Sequence, residues 1–294
     1  MLAQNLLRKD APLTPEQWNR IDDTAVRVAK NRLVGRRFIT VFGPLGAGIQ
    51  SIQQDIFAGV DAGSVSLLGE EEIHPVHVEA RQYSAVPILF KDFIVHWRDL
   101  ETALNCGTPL DVSAAAGAAS FVAEAEDSLI LNGSESLGIE GLMNAKWRNT
   151  VPLLNWDESG QAFQNVVDAT KKLIDSGFYG PYAMVVSPDM YAKMQRVYDN
   201  TGVLEINQVR ELITAGVFQT PALSNEDAVV VSTGAENFDM AIAQDLITAY
   251  LGPEHMNHPF RVFEALTLRI KRPQAVCTLE SHGEEKEKSK KTGA

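Results

Sequence analysis

Several residue types and patterns that mark other protein classes are missing from this 294-residue chain. It has only two cysteines, Cys106 and Cys277, which lie far apart and in no metal-binding spacing. Free thiols in a reducing cytoplasm are therefore expected, and a disulfide framework is not. Nowhere do about eighteen apolar residues run together, and residues 1–10 lack the apolar core of a signal peptide. We expect a soluble cytoplasmic protein.

Motifs for catalysis and metal binding are missing as well. The chain contains no HExxH, CxxC or GxSxG pattern. His74 and His77 flank Pro75 in a segment predicted to be extended, where residues at this spacing point to opposite faces. His255 and His258 lie in a predicted turn without a third ligand nearby. We therefore expect no metal site and no enzyme, although an active site assembled from distant residues stays open.

Positive charge is also in short supply. Lys and Arg number 26 against 38 Asp and Glu, which gives a formal net charge of −12 and a pI near 5.0. This balance argues against a general affinity for nucleic acid or for an anionic membrane. Copies of such a chain repel one another, so an assembly of them must depend on apolar or well-registered contacts. The hydrophobic fraction of 45% is ample for the core of one large domain or two modest ones.

The clearest element that is present is a helix start in residues 13–18 (LTPEQW). Thr14 can cap the helix, Pro15 suits its first turn, and Gln17 completes a capping box. Apolar residues then follow at helical spacing, which predicts an amphipathic helix to about Arg32. Its apolar stripe fits packing on its own domain and does not exclude a groove beside the helix.

The stretch from 37 to 90 has a different character. A short strand is predicted at 37–42, and it ends in the glycine-rich turn 43–48, which lacks the Lys-Ser/Thr pair of a phosphate loop. Further strands are predicted at 64–68, 76–80 and 83–90. A β arm or hairpin fits residues 49–90, and because such an arm has little core of its own, it needs partners.

The remainder predicts an α+β fold with segregated elements. Asp111 is expected to cap an alanine-rich helix that continues to about Leu131. Further helices are predicted at 161–176, after Ser187, and at 204–215. Strands are predicted at 182–187, 228–232, 240–243, 246–251, 261–270 and 275–279. The tail 281–294 has no apolar residue except the last alanine and is expected to be disordered.

Short sequence blocks occur in a characteristic order along the chain. They include APLTPEQW (11–18), LVGRRF (33–38), GPLGAG (43–48), WRDLE (97–101), PLDVSAAA (109–116), GIEGL (138–142), TGVLE (201–205) and NHPFRV (257–262). In order and spacing, these blocks resemble the encapsulins, which are shell proteins of bacterial protein nanocompartments, and the likeness is strongest to the myxobacterial type. The resemblance spans about residues 11–280.

The resemblance implies the HK97 phage-capsid-like fold, with a peripheral domain, an extended E-loop and an axial domain. The peripheral domain would comprise 1–48, 91–134 and 226–280, the E-loop 49–90 and the axial domain 135–225. The subunits would close into an icosahedral cage, in a large homo-oligomer around a cargo enzyme. That cargo is expected to be ferritin-like, with iron in the cargo and no cofactor in the shell itself; a peroxidase is the other common cargo.

In the resembled family, a C-terminal peptide of the cargo docks in a groove beside the first helix. Arg36 matches a groove arginine that meets the peptide, Val28 and Leu33 would supply apolar lining, and Thr40 stands where some relatives have an aspartate. The late-strand side would be formed by Gln244, Asp245, Leu246 and Ile247. Ordinary packing within the domain is the alternative for each of these residues.

Two further assignments come from the resemblance. Some relatives hold a flavin against a tryptophan at the place of Trp97, although core or interface packing also explains this residue. The tip of the axial domain, which rings a five-fold pore, corresponds to Asp199, Asn200, Thr201 and Gly202. A simple solvated loop is the competing interpretation.

Two other classes of function stay open. A prophage major capsid protein would share the fold and enclose DNA, whereas a lumen lined by an acidic protein suits protein cargo better. A peptidase or a secreted antibacterial protein is the third possibility, against which the missing signal peptide and catalytic motifs count.

Overall fold

Helices and strands alternate irregularly along the chain in a computed structural model that describes residues 6–58, 63, 65–69, 75–198, 201–224 and 226–281. The helices are α1 (Pro15–Arg32), α2 (Trp97–Asn105), α3 (Ser113–Asn132), α4 (Gln161–Asp175), α5 (Pro188–Lys193) and α6 (Glu205–Leu212). The strands are β1 (Thr40–Phe42), β2 (Ser51–Ala58), β3 (His77–Ala85), β4 (Ile88–Val95), β5 (Asn149–Pro152), β6 (Tyr182–Val186), β7 (Gly216–Gln219), β8 (Ala228–Ser232), β9 (Phe238–Tyr250), β10 (His258–Ile270) and β11 (Val276–Glu280). The α+β class predicted from the sequence is confirmed.

The first of two compact units comprises Met1–Ile130, Ser134–Ile139 and Phe238–Lys271. Its sheet has the order β1–β9–β10–β4, with β1 parallel to β9 and the other pairs antiparallel. Helices α1 and α3 share a core with this sheet, and the small side chains of α3 let its backbone approach closely. The buried members of that core are Trp18, Ile21, Ala25, Phe93, Val95, Leu100, Leu110, Ala115, Ala118, Ala119, Val122, Tyr250, Phe260 and Val262.

A two-stranded hairpin, β2 with β3, belongs to the same unit. It is tied to the sheet at its base, where Gln54 donates a side-chain hydrogen bond to the carbonyl of Ile270 and Arg269 donates to the carbonyl of Gln53. This hairpin is the β arm that the sequence predicts within residues 49–90.

The second unit comprises Leu131–Gly133, Glu140–Asn237 and Arg272–Ala294. Its five-stranded sheet has the order β5–β11–β8–β6–β7, and every residue of β6 and β8 is buried. The apolar faces of α4 and α6 cover this sheet through a core that includes Val166, Leu173, Ile206 and Val209. Strands buried on both faces explain the continuous apolar runs of this part of the sequence.

The predicted start of α1 is confirmed in atomic detail. The amide of Gln17 donates to Thr14 Oγ1 at 3.2 Å, and the amide of Thr14 donates to Gln17 Oε1 at 2.9 Å. At the start of α3, the Asp111 carboxylate accepts hydrogen bonds from the amide of Ser113 at 2.9 Å and from its hydroxyl. In both places a side-chain acceptor satisfies a backbone donor that the helix leaves free.

Some element boundaries predicted from the sequence are wrong. A 3-10 turn at Gly35–Arg37 replaces the start of the predicted strand 37–42. The strands predicted at 76–80 and 83–90 are instead β3 and β4, which are separated at Pro87, where no amide is available to a ladder. Residues 65–68 form no strand. Helix α2 was not predicted, and the strands predicted at 240–243 and 246–251 form one continuous strand, β9.

Two predicted domain boundaries also need correction. The E-loop boundary at 90/91 falls inside β4, which pairs with β10 along its whole length. The boundary at 225/226 separates β8 from β6, yet these strands are hydrogen bonded to each other, and β11 pairs with β8. Such pairings join segments far apart in sequence, so that composition along the chain does not reveal them. Residues 282–294 of the predicted tail lie outside the described residues.

Candidate functional site

A groove runs between α1 and β9 in the first unit. It encloses about 250 Å³ and is lined by Arg8, Asp22, Ala25, Val26, Leu246, Ile247 and Thr248. Its walls are aliphatic, and its polar groups lie mainly at one end. Of the residues that the family resemblance implies for the docking groove, Leu246 and Ile247 line it.

The wall of the groove is supported from behind by a small apolar cluster. Leu246 of β9 packs against Leu33, Ala29 and Ala123. Leu33 is buried, and it therefore supports the wall more than it lines the open groove. Val28 is half-buried on α1. The structure thus brings Leu33 and Leu246 together.

One end of the groove is closed by Arg8, which the sequence analysis did not identify. Its guanidinium lies 4.0 Å from the centroid of the Trp18 ring, forms an ion pair with Asp22, and donates to the carbonyl of Thr248 at 3.4 Å. Arg8 therefore links the segment before α1 to both walls of the groove. The Arg-Lys pair at 8–9, close before a capped helix, is too common a pattern to have signalled this role.

Beside the other end, Arg36 lies among three carboxyl groups. It donates from Nε to both carboxylate oxygens of Glu126 at 2.9 and 3.0 Å, from Nη1 to Asp245 at 2.7 Å, and from Nη2 to Glu126 and Glu264, each at 2.7 Å. The side chains of Glu126 and Glu264 are 0% and 1% exposed, against 63% for Asp245. We call these four residues the Arg36 cluster.

The turn that carries Arg36 is held by a fifth residue, Asp127 of α3. Its carboxylate accepts hydrogen bonds from the amides of Val34 and Gly35 at 2.9 to 3.0 Å. Burial raises the pKa of Asp127 to about 6, against the effect of these two amide donors. Asp127 thereby anchors the 3-10 turn on α3 and directs the Arg36 side chain toward β9 and β10.

The charge state of the cluster follows from burial. Burial raises the pKa of Glu264 to about 10, and the negative charge of neighbouring Glu126 adds to this shift. Burial also opposes ionisation of Asp245, but the Arg36 guanidinium holds the pKa of that carboxyl below its usual value. Burial therefore favours the neutral acid form of Glu264, while Arg36 favours the carboxylate form of Asp245.

Strand β9 is irregular beside this cluster. Ile247 pairs with Phe263 and Gln244 with Ala265, so that Asp245 and Leu246 together lie opposite Glu264. Two residues against one is a β-bulge, which turns side chains away from their regular alternation. The Asp245 carboxylate stabilises the bulge because its Oδ1 accepts the amide of Leu246 at 2.9 Å as well as the Arg36 Nη1.

Two predicted groove residues take less part in this arrangement. Thr40 pairs with Asp239 at the start of β9, roughly 20 Å along the strand from Asp245 at the usual rise per residue. Gln244 is half-buried and donates from its side chain to the carbonyl of Asp245 at 3.0 Å. Neither of them bonds a member of the Arg36 cluster through its carboxyl or guanidinium group.

Glu126 and Glu264 were missed as site residues, although the sequence carries a signal for both. Glu126 lies one helical turn from Val122 and from Ile130 on the apolar side of α3, and Glu264 interrupts the apolar run VFEAL of β10. An acid at an otherwise apolar position indicates a buried carboxyl that needs a partner. Arg36 is that partner.

Trp97, the residue proposed to contact a flavin, begins α2 and is partly exposed. The guanidinium of Arg98 lies 5.5 Å from the centroid of the Trp97 ring, and the backbone amide of Trp97 donates to Asn257 Oδ1 at 3.4 Å. The exposed part of the ring could stack on a planar group, but these contacts provide no directed polar partner for one. Flavin binding stays a prediction.

The predicted pore loop is described only in part. Asp199 and Asn200 lie outside the described residues. Thr201 donates its amide to the carbonyl of Tyr198 at 2.9 Å, and Gly202 has a φ of 74°, which suits a turn. The pore assignment stays a prediction.

Other candidate ligands for metals are dispersed. The histidine pair 74 and 77 lies partly outside the described residues; His77 Nδ1 lies 2.9 Å from the carbonyl of Pro75, while His258 Nδ1 lies 2.9 Å from the hydroxyl of Tyr250. Within the described ranges, no three His, Cys, Asp or Glu side chains are grouped so that they could hold a metal ion. The helices in those ranges are also too short or too polar to cross a membrane.

Known capsid structures share this fold. A virus-like particle from Pyrococcus furiosus matches with a TM-score of 0.73 and 22% identity, over 90% of this chain and 100% of that one. The capsid protein of the Myoviridae phage XM1 matches with a TM-score of 0.61 and 13% identity, over 82% of this chain and 89% of that one. The HK97 phage-capsid-like fold is thereby confirmed.

Sequence comparison identifies relatives at higher identity. The type 1 encapsulin shell protein EncA of Myxococcus xanthus is 52% identical over 272 residues, which are 92% of this chain and 95% of that protein. A ferritin-like-encapsulin shell fusion protein of Pyrococcus furiosus is 29% identical over 205 residues, 70% of this chain and 55% of that protein. The family model Linocin_M18, an encapsulating protein for peroxidase, matches residues 3–267. Since this match and that of EncA both span most of the chain, the protein belongs to the encapsulin family of shell proteins.

Proposed function

We propose that this chain is the shell subunit of a protein compartment that encloses a ferritin-like enzyme, and that it captures this cargo through the groove between α1 and β9. Its role is structural: the chain forms a capsid-like cage. The capture of a particular cargo is the part that goes beyond family membership.

The β2–β3 hairpin supports assembly. Among the described residues no third strand pairs with it, and its apolar side chains Phe57, Val78 and Tyr83 are exposed in the single chain. A two-stranded hairpin is marginally stable by itself in water. Contacts with neighbouring copies would bury these side chains and satisfy the free strand edges.

The groove supports capture of an extended peptide, and it is the observation that carries the proposal. Its aliphatic walls can take apolar side chains, while the polar groups at one end can orient the peptide backbone. Many copies facing one lumen would strengthen the binding of an oligomeric cargo by avidity.

The type of cargo is inferred from charge and from relatives. A net charge of −12 disfavours DNA as the content of the cage. One relative is named as a fusion of a shell protein with a ferritin-like protein, and the family model is described as encapsulating peroxidase. A ferritin-like cargo for iron storage and oxidative-stress protection is therefore proposed first, and a peroxidase second.

The test begins with shells purified from the native host. Electron microscopy should show closed particles, mass spectrometry should identify a ferritin-like protein inside, and the ratio of absorbance at 260 and 280 nm should be that of protein alone. A fluorescent protein carrying the C-terminal segment of that cargo is then co-expressed with the shell.

Val26→Glu places a charge in the groove and should abolish loading of this reporter. Leu104→Glu, which changes an exposed apolar residue of α2, is the matched control and should leave loading unchanged. Shells filled with DNA would favour a prophage capsid instead. Equal loading of wild-type and Val26→Glu shells would exclude the groove.

A further inference from the structure

The role of Arg36 differs from that of a peptide ligand. A guanidinium has five N–H groups, and four of those in Arg36 donate to Glu126, Asp245 and Glu264. The side chain is only 21% exposed. At most one N–H group therefore remains for a docked peptide.

The bonds of Arg36 lead directly to the groove wall. The same Asp245 Oδ1 that accepts its Nη1 also accepts the amide of Leu246, which lines the groove next to Ile247. Opposite these residues, Glu264 accepts the Arg36 Nη2 from β10. Arg36 thus holds both sides of the bulge, and the bulge sets how Leu246 meets α1.

We infer that Arg36 is a positioning residue of the docking groove: it fixes the β9 bulge that shapes the wall, and it does not recognise the peptide itself. This inference rests on the proposed docking function. It extends that proposal because it assigns an indirect role in cargo capture to Glu126, whose side chain is fully buried and cannot contact a peptide.

A lysine could not replace Arg36 in this role. The planar fork of the guanidinium reaches three carboxyl groups, one on α3 and one on each of the strands β9 and β10, at 2.7 to 3.0 Å. An ammonium group is a single point of charge and cannot donate along all these directions. Two other cations, Lys30 and Arg37, act on Asp245 and Asp127 respectively only through space.

The experiment measures how tightly intact shells bind the fluorescent reporter with the native cargo's C-terminal segment. Glu126→Gln weakens the hold on Arg36 without changing any exposed atom. Its matched control is Glu124→Gln, which lies on the same helix and breaks the exposed ion pair with Arg32. We expect Glu126→Gln to weaken binding by between about twofold and thirtyfold, as indirect coupling of this kind does, and Glu124→Gln to leave it unchanged.

A double-mutant cycle separates positioning from contact. Arg36→Ala is combined with alanine substitutions along the peptide. If Arg36 only positions the wall, the loss of binding free energy in each double variant should equal the sum of the two single losses for every polar peptide residue. Arg36→Lys should not restore binding, and the amide of Leu246 should exchange its hydrogen faster in both Arg36 variants. Strong coupling of Arg36 to one peptide residue, with wild-type binding by Glu126→Gln, would overturn the inference.

Two remaining outcomes are also decisive. If Glu126→Gln shells fail to form, Asp245→Ala is used instead, since this side chain is exposed and its Oδ1 is the acceptor for both Arg36 and Leu246. Unchanged peptide affinity and unchanged exchange at Leu246 would then refute positioning. If wild-type shells do not bind the reporter at all, the proposed docking function is wrong. If wild-type and Glu126→Gln shells bind it equally well, docking stands and only the positioning role of Arg36 is wrong.

Discussion

Glu264 lies 2.7 Å from the guanidinium of Arg36, and burial nevertheless favours the protonated form of its carboxyl group. Burial raises its pKa to about 10, and the charge of Glu126 adds to the shift, while the single Arg36 is shared among three acids. The cluster therefore combines one cation with three acids, and burial favours the protonated form of Glu264. This explains how three acids can surround one arginine beside an apolar groove.

This arrangement predicts that shell stability falls as the pH rises above neutrality. Glu264 ionises near pH 4.5 when unfolded and near pH 10 when folded, so the folded chain binds the extra proton between these values. The slope for one such group approaches about 1.4 kcal/mol per pH unit. Melting of intact shells between pH 7.5 and 8.5 should show this decline, and Glu264→Gln should remove it.

The window from pH 7.5 to 8.5 separates Glu264 from other shifted groups. Asp127 contributes between about pH 4 and 6, and Cys277, whose pKa burial raises from 9 to about 12, contributes mainly near pH 9 and above. A wild-type slope that persists unchanged in Glu264→Gln would mean that another group carries it.

Removal of the cation should destabilise the subunit strongly. Arg36→Ala leaves the carboxylate of Glu126, which is 0% exposed, without its partner, and losing one member of a buried pair costs about 3 to 5 kcal/mol. Chemical denaturation of the shells measures this loss. Arg32→Ala is the control, because its ion pair with Glu124 is exposed and is worth less than about 1 kcal/mol. Equal losses in the two variants would contradict a buried network.

How far the sequence predicts this structure depends on the range of the interactions. The capping box at Thr14 and the alanine-rich segment predict α1 and α3 because both signals are local. Helix α2 escaped because Trp97–Asn105 is short and directly follows an apolar strand. The bulge at Asp245 and Leu246 depends on pairing with β10, which no pattern within β9 reveals.

The same distinction applies to the site. Arg36, Asp245 and Leu246 were predicted as site residues from the family resemblance, whereas Glu126 and Glu264 could have been predicted as acids within apolar patterns. The sequence could not show that Arg36, Glu126, Asp245 and Glu264 meet. Arg36 and Glu264 are distant in the chain, and only the packing of the folded unit brings them into contact.

The hairpin yields a prediction about assembly. Tyr83 on β3 is 69% exposed, and we expect its ring to be buried between copies. Tyr83→Ser should shift the protein from shells to smaller species in size-exclusion chromatography while its circular dichroism spectrum stays unchanged. The matched substitution is Leu104→Ser, on an exposed position of α2. Intact shells in Tyr83→Ser would show that this side chain is not at an interface.

Two glycines should respond to alanine in opposite directions. A Cβ at Gly141 would lie 2.3 Å from the amide nitrogen of Gly133 and 2.4 Å from the carbonyl oxygen of Leu131, where only backbone could give way. Gly141→Ala must therefore displace the backbone at the end of α3, where the carbonyl of Leu131 accepts a hydrogen bond from the amide of Met143. A Cβ at Gly117 would meet nothing within 4 Å, and in the interior of α3 alanine is favoured over glycine by about 1 kcal/mol.

Thermal melting of the two variants as shells tests this pair. Gly117→Ala should melt slightly above the wild-type protein, whereas Gly141→Ala should lower the melting temperature by several degrees or prevent folding, as forced overpacking does. Each variant serves as the control for the other, since both add one methyl group to a glycine. If Gly141→Ala shells melted at the wild-type temperature, the added methyl group could not lie 2.3 to 2.4 Å from the backbone of Gly133 and Leu131.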